Sequence, residues 1–168
     1  MNEKERNDLE TISDADLDAA ASAGAWGSFL HQGQICMASG RHIVQRKVAD
    51  DYIELLARKA KALPVGDPYR ADVAIGPIIN SRQIERVHKI VGDSVAAGAE
   101  LAAGGTYDGL FYQPTVLAKV TSGMPAYELV HDGFGKALSD WSQQARGSAL
   151  DPLTAVIAPR GLVFKWEK

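Results

Sequence analysis

The chain has a single cysteine, Cys36, among its 168 residues. One thiol excludes a disulfide within the chain and a metal site built from several thiolates. Long apolar runs are also lacking, since no stretch approaches the roughly 20 apolar residues that span a bilayer. The first ten residues, MNEKERNDLE, are polar and charged, unlike a secretory signal peptide. We therefore expect a cytoplasmic protein that has no membrane partner.

Neither sign of charge dominates the composition. The 18 basic residues are scattered along the chain, and 21 acidic residues leave a net charge of −3. Nucleic-acid binding usually requires a clustered basic surface, so we expect no nucleic-acid partner. The hydrophobic content of 46% is ordinary for a soluble protein. A chain of this length can bury a hydrophobic core as one domain.

Signals for metal ions and phosphates are equally sparse. The four histidines, His31, His42, His88 and His131, are too dispersed for the usual spacing of metal ligands. No Gly-x-Gly-x-x-Gly pattern is present, so AAGG at 102–105 is predicted to be a turn rather than a phosphate-binding loop. We therefore predict no metal site, and we expect the histidines on surfaces or strands.

Hydrophobic periodicity divides the middle of the chain into alternating helices and strands, which favours an α/β fold. Ser13 is predicted to start the first helix, and Asp51 and Glu54 stand at capping-box spacing for the second. Pro64 is predicted to end that second helix. The predicted elements are, in order, helix 14–30, strand 41–45, the second helix, an ordered loop over 65–80, a helix capped by Asn80 or Ser81 and ending near Gly98, and strands over 99–105 and 113–120.

The sequence changes character after Tyr127. DGFGKALSDWSQQARGSALDP, residues 132–152, can form one more amphipathic helix, and TAVIAPRGLVFKW, residues 154–166, can form one or two short strands. We therefore divide the chain into a polar extension over 1–12, a main portion over 13–127 and a divergent tail over 128–168.

The segment around the cysteine, GQICMASGRHIV at 33–44, resembles the catalytic-cysteine segment of the aldehyde dehydrogenase superfamily. The likeness extends from about Ser13 to Tyr127, and the sequences of the motifs are most similar to those of the benzaldehyde and vanillin dehydrogenase branch. Further motifs follow the family's order: DADLDAAASAGAWGSF at 14–29, VGDP at 65–68, IGPII at 75–79, AGAELAAGG at 97–105 and PTVL at 114–117.

The resemblance implies part of an α/β catalytic domain, with a central sheet flanked by helices. It also implies a mechanism in which Cys36 attacks an aldehyde, with aromatic aldehydes as candidate substrates, and forms a thiohemiacetal. A hydride then passes to NAD or NADP, and water hydrolyses the thioester. The backbone N–H of Cys36 would stabilise the oxyanion. Gly33, Gln34 and Ile35 would form the substrate and oxyanion environment, with Gly33 allowing close approach and Gln34 shaping the turn.

Several family features have no counterpart in the sequence. The family carries a dinucleotide-binding domain and a Glu-Leu-Gly-Gly motif ahead of its cysteine, whereas KERNDLETI at 4–12 contains no such motif. Glu128 likewise lacks the Phe-Gly-Pro that follows the family's cofactor-binding glutamate. The family's side-chain amide that completes the oxyanion hole also lies in the absent portion. Losing an oxyanion donor costs about 10²–10³ in rate, and losing the general base costs about 10²–10⁴ more. We therefore expect a truncated chain that is inactive alone and whose binding of NAD or NADP is doubtful.

Other interpretations of the same residues stay open. Cys36 can be an inert buried thiol, because reactivity requires a lowered pKa and solvent access. His31, five residues before it, can tune it. The chain can be a non-catalytic scaffold or homo-oligomerisation domain that kept the α/β core. Alternatively, the thiol can be acylated slowly by activated esters without any cofactor.

Overall fold

A computed structural model describes residues 16–35, 38–42, 44–121, 123–128 and 154–157. The predicted extension over 1–12, Ser13 itself, Cys36, His131 and the tail helix over 132–152 lie outside the described residues. The helix predicted over 14–30 begins later, at Leu17, because Asp16 has an extended backbone and caps it. No helix in the described part of the chain is both long and apolar enough to cross a membrane.

The described elements contain the predicted order of helix, strand, helix, loop, helix and two strands, with further elements added. Helix α1 is followed directly by a single turn over Leu30–Gly33, and two short strands form a hairpin that the sequence analysis missed. The elements are α1 (Leu17–Phe29), β1 (Arg41–His42), α2 (Arg46–Ala62), α3 (Ser81–Ala96), β2 (Glu100–Ala103), β3 (Tyr107–Asp108), β4 (Phe111–Tyr112), β5 (Thr115–Ala118), α4 (Pro125–Glu128) and β6 (Thr154–Ile157).

Local capping chemistry sets the start of two helices. Asp16 accepts a hydrogen bond from the backbone N–H of Ala19 at 3.0 Å, at the start of α1. Asn80 accepts one from the backbone N–H of Gln83 at 2.9 Å, which confirms it as the cap of α3. Each bond satisfies a backbone N–H that has no partner within its own helix.

The predicted start of the second helix is wrong. Helix α2 begins at Arg46, so Asp51 and Glu54 lie inside it and form no capping box. The physical reason is that the buried face of α2 already includes Ala49, which is 0% exposed. Packing against the core therefore extends the helix ahead of the two carboxylates. Its end agrees with the prediction, because the last helical residue stands two positions before Pro64.

The main sheet has the strand order β1-β6-β5-β2, and all three neighbouring pairs are antiparallel. Strand β6, from the tail, lies between β1 and β5, so one of the tail strands predicted over 154–166 is confirmed. Strand β1 is shorter than the predicted 41–45, since Gln45 already precedes the first turn of α2. The combination of helices and a sheet confirms the expected α/β part-domain.

Two clusters of buried side chains form the core. One cluster joins α1, α2 and the sheet, and the other joins α3, α4 and strands β4 and β5. The first contains Ala21, Ala25, Phe29, Tyr52, Leu56, Ala57, Ala60, Ile75, Ala103 and Val116. The second contains Ile78, Ile84, Val87, Val91, Ala99, Tyr112, Leu117, Val120, Met124 and Ala126.

The hairpin β3–β4 pairs Tyr107 with Tyr112 and Asp108 with Phe111. The hairpin has a two-residue loop, and Gly109, with φ of 54°, is the first of these two residues. Two-residue hairpin loops require a positive φ at this position. The predicted turn at AAGG is confirmed, because Gly104 and Gly105 have φ of 73° and 81° between β2 and β3.

Candidate active site

A left-handed turn leads from α1 into the cysteine segment. His31, Gln32 and Gly33 have φ of 50°, 57° and 65°. Glycine adopts this conformation freely, whereas each non-glycine residue costs about 1–2 kcal/mol there. Strained backbone of this kind is concentrated at functional sites. The requirement for a glycine at position 33 is therefore conformational in this structure, in addition to the close approach that the sequence predicted.

The side chain of Gln32 stabilises the strained turn. When the carboxamide is oriented so that its oxygen faces a donor and its nitrogen faces an acceptor, the oxygen accepts from the backbone N–H of Gly76 at 2.9 Å and the nitrogen donates to the His31 carbonyl at 3.1 Å. A Cβ at position 76 would approach the Gln32 amide to 3.3 Å. Sequence reasoning missed Gln32, because its partner is distant in the chain. His31 is exposed.

Gln34 connects the segment to the loop over 77–79. Its side-chain Oε1 accepts from the backbone N–H of Ile79 at 3.0 Å, and its Nε2 donates to the Pro77 carbonyl at 3.4 Å. The carboxamide thus pairs with a peptide backbone as a neighbouring strand would. Gly33, Gln34 and Ile35 are consecutive and described, with Gly33 buried and the other two partly buried.

Ser39 marks the other end of the cysteine segment. Its backbone N–H donates to the Gly27 carbonyl at 2.8 Å, and its carbonyl accepts from the Ser28 hydroxyl at 2.7 Å. Both backbone groups of Ser39 are therefore bound to α1. Residues 35–38, which include Cys36, lie between the anchor at Gln34 and the anchor at Ser39.

His42 forms two hydrogen bonds from β1 to the two helices. Its Nδ1 lies 2.6 Å from the Tyr52 hydroxyl, and its Nε2 lies 3.0 Å from Ser28 Oγ. Gly24 makes room for this arrangement, because a Cβ there would overlap the Tyr52 hydroxyl and lie 2.6 Å from His42 Cε1. His42 is on a strand, as predicted, but its partners were not foreseen. The signal available was the run of small residues on one side of α1.

Burial changes the acidity of both ring groups in this network. Loss of hydration lowers the pKa of His42 to about 4, and it raises the pKa of Tyr52 to about 12. Desolvation disfavours the charged form of each group. Both side chains are therefore neutral near pH 7.

The described residues do not fit a dinucleotide. A groove of about 830 Å³ lies between α2 and strands β2 and β5, but its charged lining has both signs and it has no glycine-rich phosphate loop. Among the described residues, no group of three His, Cys, Asp or Glu side chains could hold a metal ion. The charged residues lining the groove are Asp50, Glu54, Arg58, Lys61, Glu100 and Lys119.

Comparison with known proteins finds relatives among aldehyde dehydrogenases. The chain is 54% identical over 120 residues to a vanillin dehydrogenase of Amycolatopsis sp., covering 71% of this chain and 25% of that protein. It is 51% identical over 117 residues to an NAD(+) benzaldehyde dehydrogenase of Pseudomonas putida, covering 70% and 24%. The chain thus spans about a quarter of the length of the curated relatives that it matches.

A solved structure and a family model agree with these relatives. The crystal structure of a salicylaldehyde dehydrogenase from Pseudomonas putida G7, complexed with salicylaldehyde, superimposes with a TM-score of 0.64 at 39% identity, over 68% of this chain and 24% of that one. The model of the aldehyde dehydrogenase family matches residues 6–131, more than half of the chain. The chain therefore belongs to the aldehyde dehydrogenase family.

Proposed function

We propose that the chain carries the nucleophile portion of an NAD- or NADP-dependent aldehyde dehydrogenase that oxidises aromatic aldehydes, with Cys36 as the nucleophile. The observation that carries this proposal is the pair of anchors around Cys36. Gln34 is bound to the backbone at 77–79, and Ser39 is bound to α1. A nucleophile must be held in one geometry. Two relatives are named as a vanillin dehydrogenase and a benzaldehyde dehydrogenase, and these names support an aromatic substrate.

The proposed chemistry begins at the thiolate. Cys36 adds to the aldehyde carbonyl carbon, so that a C–S bond forms as the carbonyl π bond breaks and negative charge moves to oxygen. The backbone N–H of Cys36 is proposed to donate to that oxygen, with Gly33, Gln34 and Ile35 forming its surroundings. The described residues do not fit NAD or NADP, so no residue among them is assigned to the hydride step.

The 168 residues are not expected to turn over by themselves. They contain neither a Glu-Leu-Gly-Gly nor a Glu-x-Phe-Gly-Pro motif, so general-base catalysis, worth about 10²–10⁴ in rate, would be lacking. We expect no reduction of NAD or NADP by the purified chain with benzaldehyde or vanillin, monitored at 340 nm. Turnover that disappears in Cys36→Ser would show that this expectation is wrong and that the chain is sufficient.

Reactivity of the thiol tests the proposal directly. We expect Cys36 to be alkylated by iodoacetamide faster in the native chain than in urea at the same pH, because an active-site environment lowers a thiol pKa below about 8.5. Intact mass measures the labelling, and the single cysteine makes it specific. Equal or slower native labelling would contradict the proposal. Stoichiometric acetylation by an activated ester would indicate the cofactor-independent acylation reaction.

A non-catalytic, homo-oligomeric scaffold is the second candidate function. The observation in its favour is exposed apolar surface, since Trp26, Ile79 and Leu101 are 66%, 73% and 42% exposed, and such residues can form an interface. Slow native labelling of Cys36 together with a folded oligomer in analytical ultracentrifugation would favour it. We propose a cytoplasmic location for either function.

A further inference from the structure

Three side chains from three elements form one continuous chain of hydrogen bonds beside the cysteine segment. Tyr52 on α2 contacts His42 on β1, His42 contacts Ser28 on α1, and Ser28 contacts the Ser39 carbonyl. The distances are 2.6, 3.0 and 2.7 Å, respectively. The two residues of each hydrogen-bonded pair are 10 to 14 positions apart in sequence, so only the packing of α1, α2 and β1 brings them together.

The direction of each hydrogen bond follows from the number of protons. The Ser28 hydroxyl has one proton, and the Ser39 carbonyl can only accept, so that proton is donated to Ser39. Ser28 Oγ must then accept from His42, which places the imidazole proton on Nε2. Nδ1 of the neutral ring is left as an acceptor, and the Tyr52 hydroxyl donates to it. Every donor in this series of hydrogen bonds therefore has an acceptor.

The acidities of the ring groups agree with this assignment. Burial holds the pKa of His42 at about 4 and that of Tyr52 at about 12, so the ring is neutral and the phenol protonated. Among the described side chains, the titratable group that contacts the imidazole is Tyr52 from α2, and the neighbours of the ring from α1, Ser28 and Gly24, are uncharged. A protonated ring would have no acceptor for its second N–H unless the Tyr52 hydroxyl turned.

The same geometry excludes a serine nucleophile. Ser28 is 0% exposed, and its proton is donated to a carbonyl rather than to the imidazole. Activation of a serine requires the opposite direction, with the imidazole accepting the serine proton. The series of hydrogen bonds instead fixes the carbonyl of Ser39.

We propose that Ser28, His42 and Tyr52 are positioning residues that fix the carboxyl-side end of the Cys36 segment to helices α1 and α2. The inference rests on the proposed function, in which Cys36 is the reactive thiol. Gln34 fixes the other end through its bonds to the backbone at 77–79. We infer that fixing the two described ends, Gln34 and Ser39, helps to pre-organise the nucleophile between them.

The test measures the alkylation rate of Cys36 against pH in Tyr52→Phe and Ser28→Ala, under conditions where circular dichroism shows the chain to be folded. Matched controls exist at the other core cluster, where Tyr112 is a member and Ser94 accepts from the backbone N–H of the member Ala126 at 2.9 Å. Tyr112 is a buried tyrosine whose hydroxyl lies 3.3 Å from His88 Nδ1. Ser94 is a buried serine that donates to the Ile90 carbonyl at 2.7 Å. Tyr112→Phe and Ser94→Ala therefore delete equivalent groups away from the cysteine segment.

We expect Tyr52→Phe and Ser28→Ala to change the native labelling rate toward the unfolded rate by on the order of tenfold. The midpoint of the pH–rate profile should move toward that of a free thiol. The two controls should leave both quantities within about twofold, although they also destabilise the chain. A purely structural role would reduce stability in all four variants without moving the profile of the folded protein.

Different outcomes overturn different statements. A fast native rate in the unmodified chain that none of the four variants alters would overturn the positioning role and leave the proposed function intact. Equal native and unfolded rates in the unmodified chain would overturn the proposed function and the positioning role with it. Faster exchange of the Ser39 amide proton in Tyr52→Phe, together with an unchanged labelling profile, would also overturn the role, because the anchor would then not affect the thiol.

Discussion

Gly24→Ala is expected to lower the free energy of unfolding by about 3 kcal/mol and to abolish the fast labelling of Cys36. The new Cβ would overlap the Tyr52 hydroxyl and lie 2.6 Å from His42 Cε1. Overpacking of a core typically costs about 1–3 kcal/mol, and displacing Tyr52 would leave buried polar groups without partners, at about 1–3 kcal/mol more. Urea unfolding followed by circular dichroism measures the change.

Gly92→Ala is the matched control, because Gly92 is also inside a helix. A Cβ at position 92 would meet no atom within 4 Å, so replacement by alanine is expected to stabilise α3 by about 0.5–1 kcal/mol. The two substitutions are chemically identical, but they should change the free energy of unfolding in opposite directions. A mild effect of Gly24→Ala, similar to that of Gly92→Ala, would contradict the close packing of α1 against β1 and α2.

Features that depend on neighbouring residues were predictable from the sequence. The cap at Asn80, the helix end before Pro64 and the turn at AAGG each follow from the chemistry of one or two residues, and the structure confirms them. The start of α2 was not predicted, because tertiary packing of Ala49 overrides the capping signal at Asp51. The hairpin at 107–112 was missed, although a glycine at the first loop position, Gly109, is a signal for a two-residue hairpin loop.

In the candidate site, too, local features were predictable from the sequence, whereas contacts between distant residues were not. Resemblance to a family placed Gly33, Gln34 and Ile35 beside the predicted nucleophile. It did not give the partners that hold them, because Gln34 and Ile79 are 45 positions apart and no local pattern connects them. The network at His42 was equally hidden, since a lone histidine in a strand has no signature until Tyr52 and Ser28 are packed against it. The left-handed conformation at His31 and Gln32 runs against residue preference and was not predictable.

Acidification is expected to destabilise the chain through His42, by about 3 kcal/mol across the window from pH 6.5 to pH 4. Burial lowers the pKa of His42 from 6.5 to about 4 in the folded state. Between these values the unfolded chain binds a proton that the folded chain does not, so stability falls as the pH falls. The contribution is fully present above pH 6.5, and the loss is complete below about pH 4, where both states are protonated.

Urea unfolding at several pH values measures this loss as a slope. One histidine contributes up to about 1.4 kcal/mol per pH unit near the middle of the window, and the interval from pH 5 to 6.5 avoids most carboxyl titration. His42→Gln should reduce the slope by that amount. Because this variant could unfold, the NMR titration of the His42 ring in the unmodified chain gives a direct reading. A ring pKa near 6.5 in the folded chain would contradict the buried, neutral imidazole, and with it the direction assigned to each hydrogen bond from Tyr52 to Ser39.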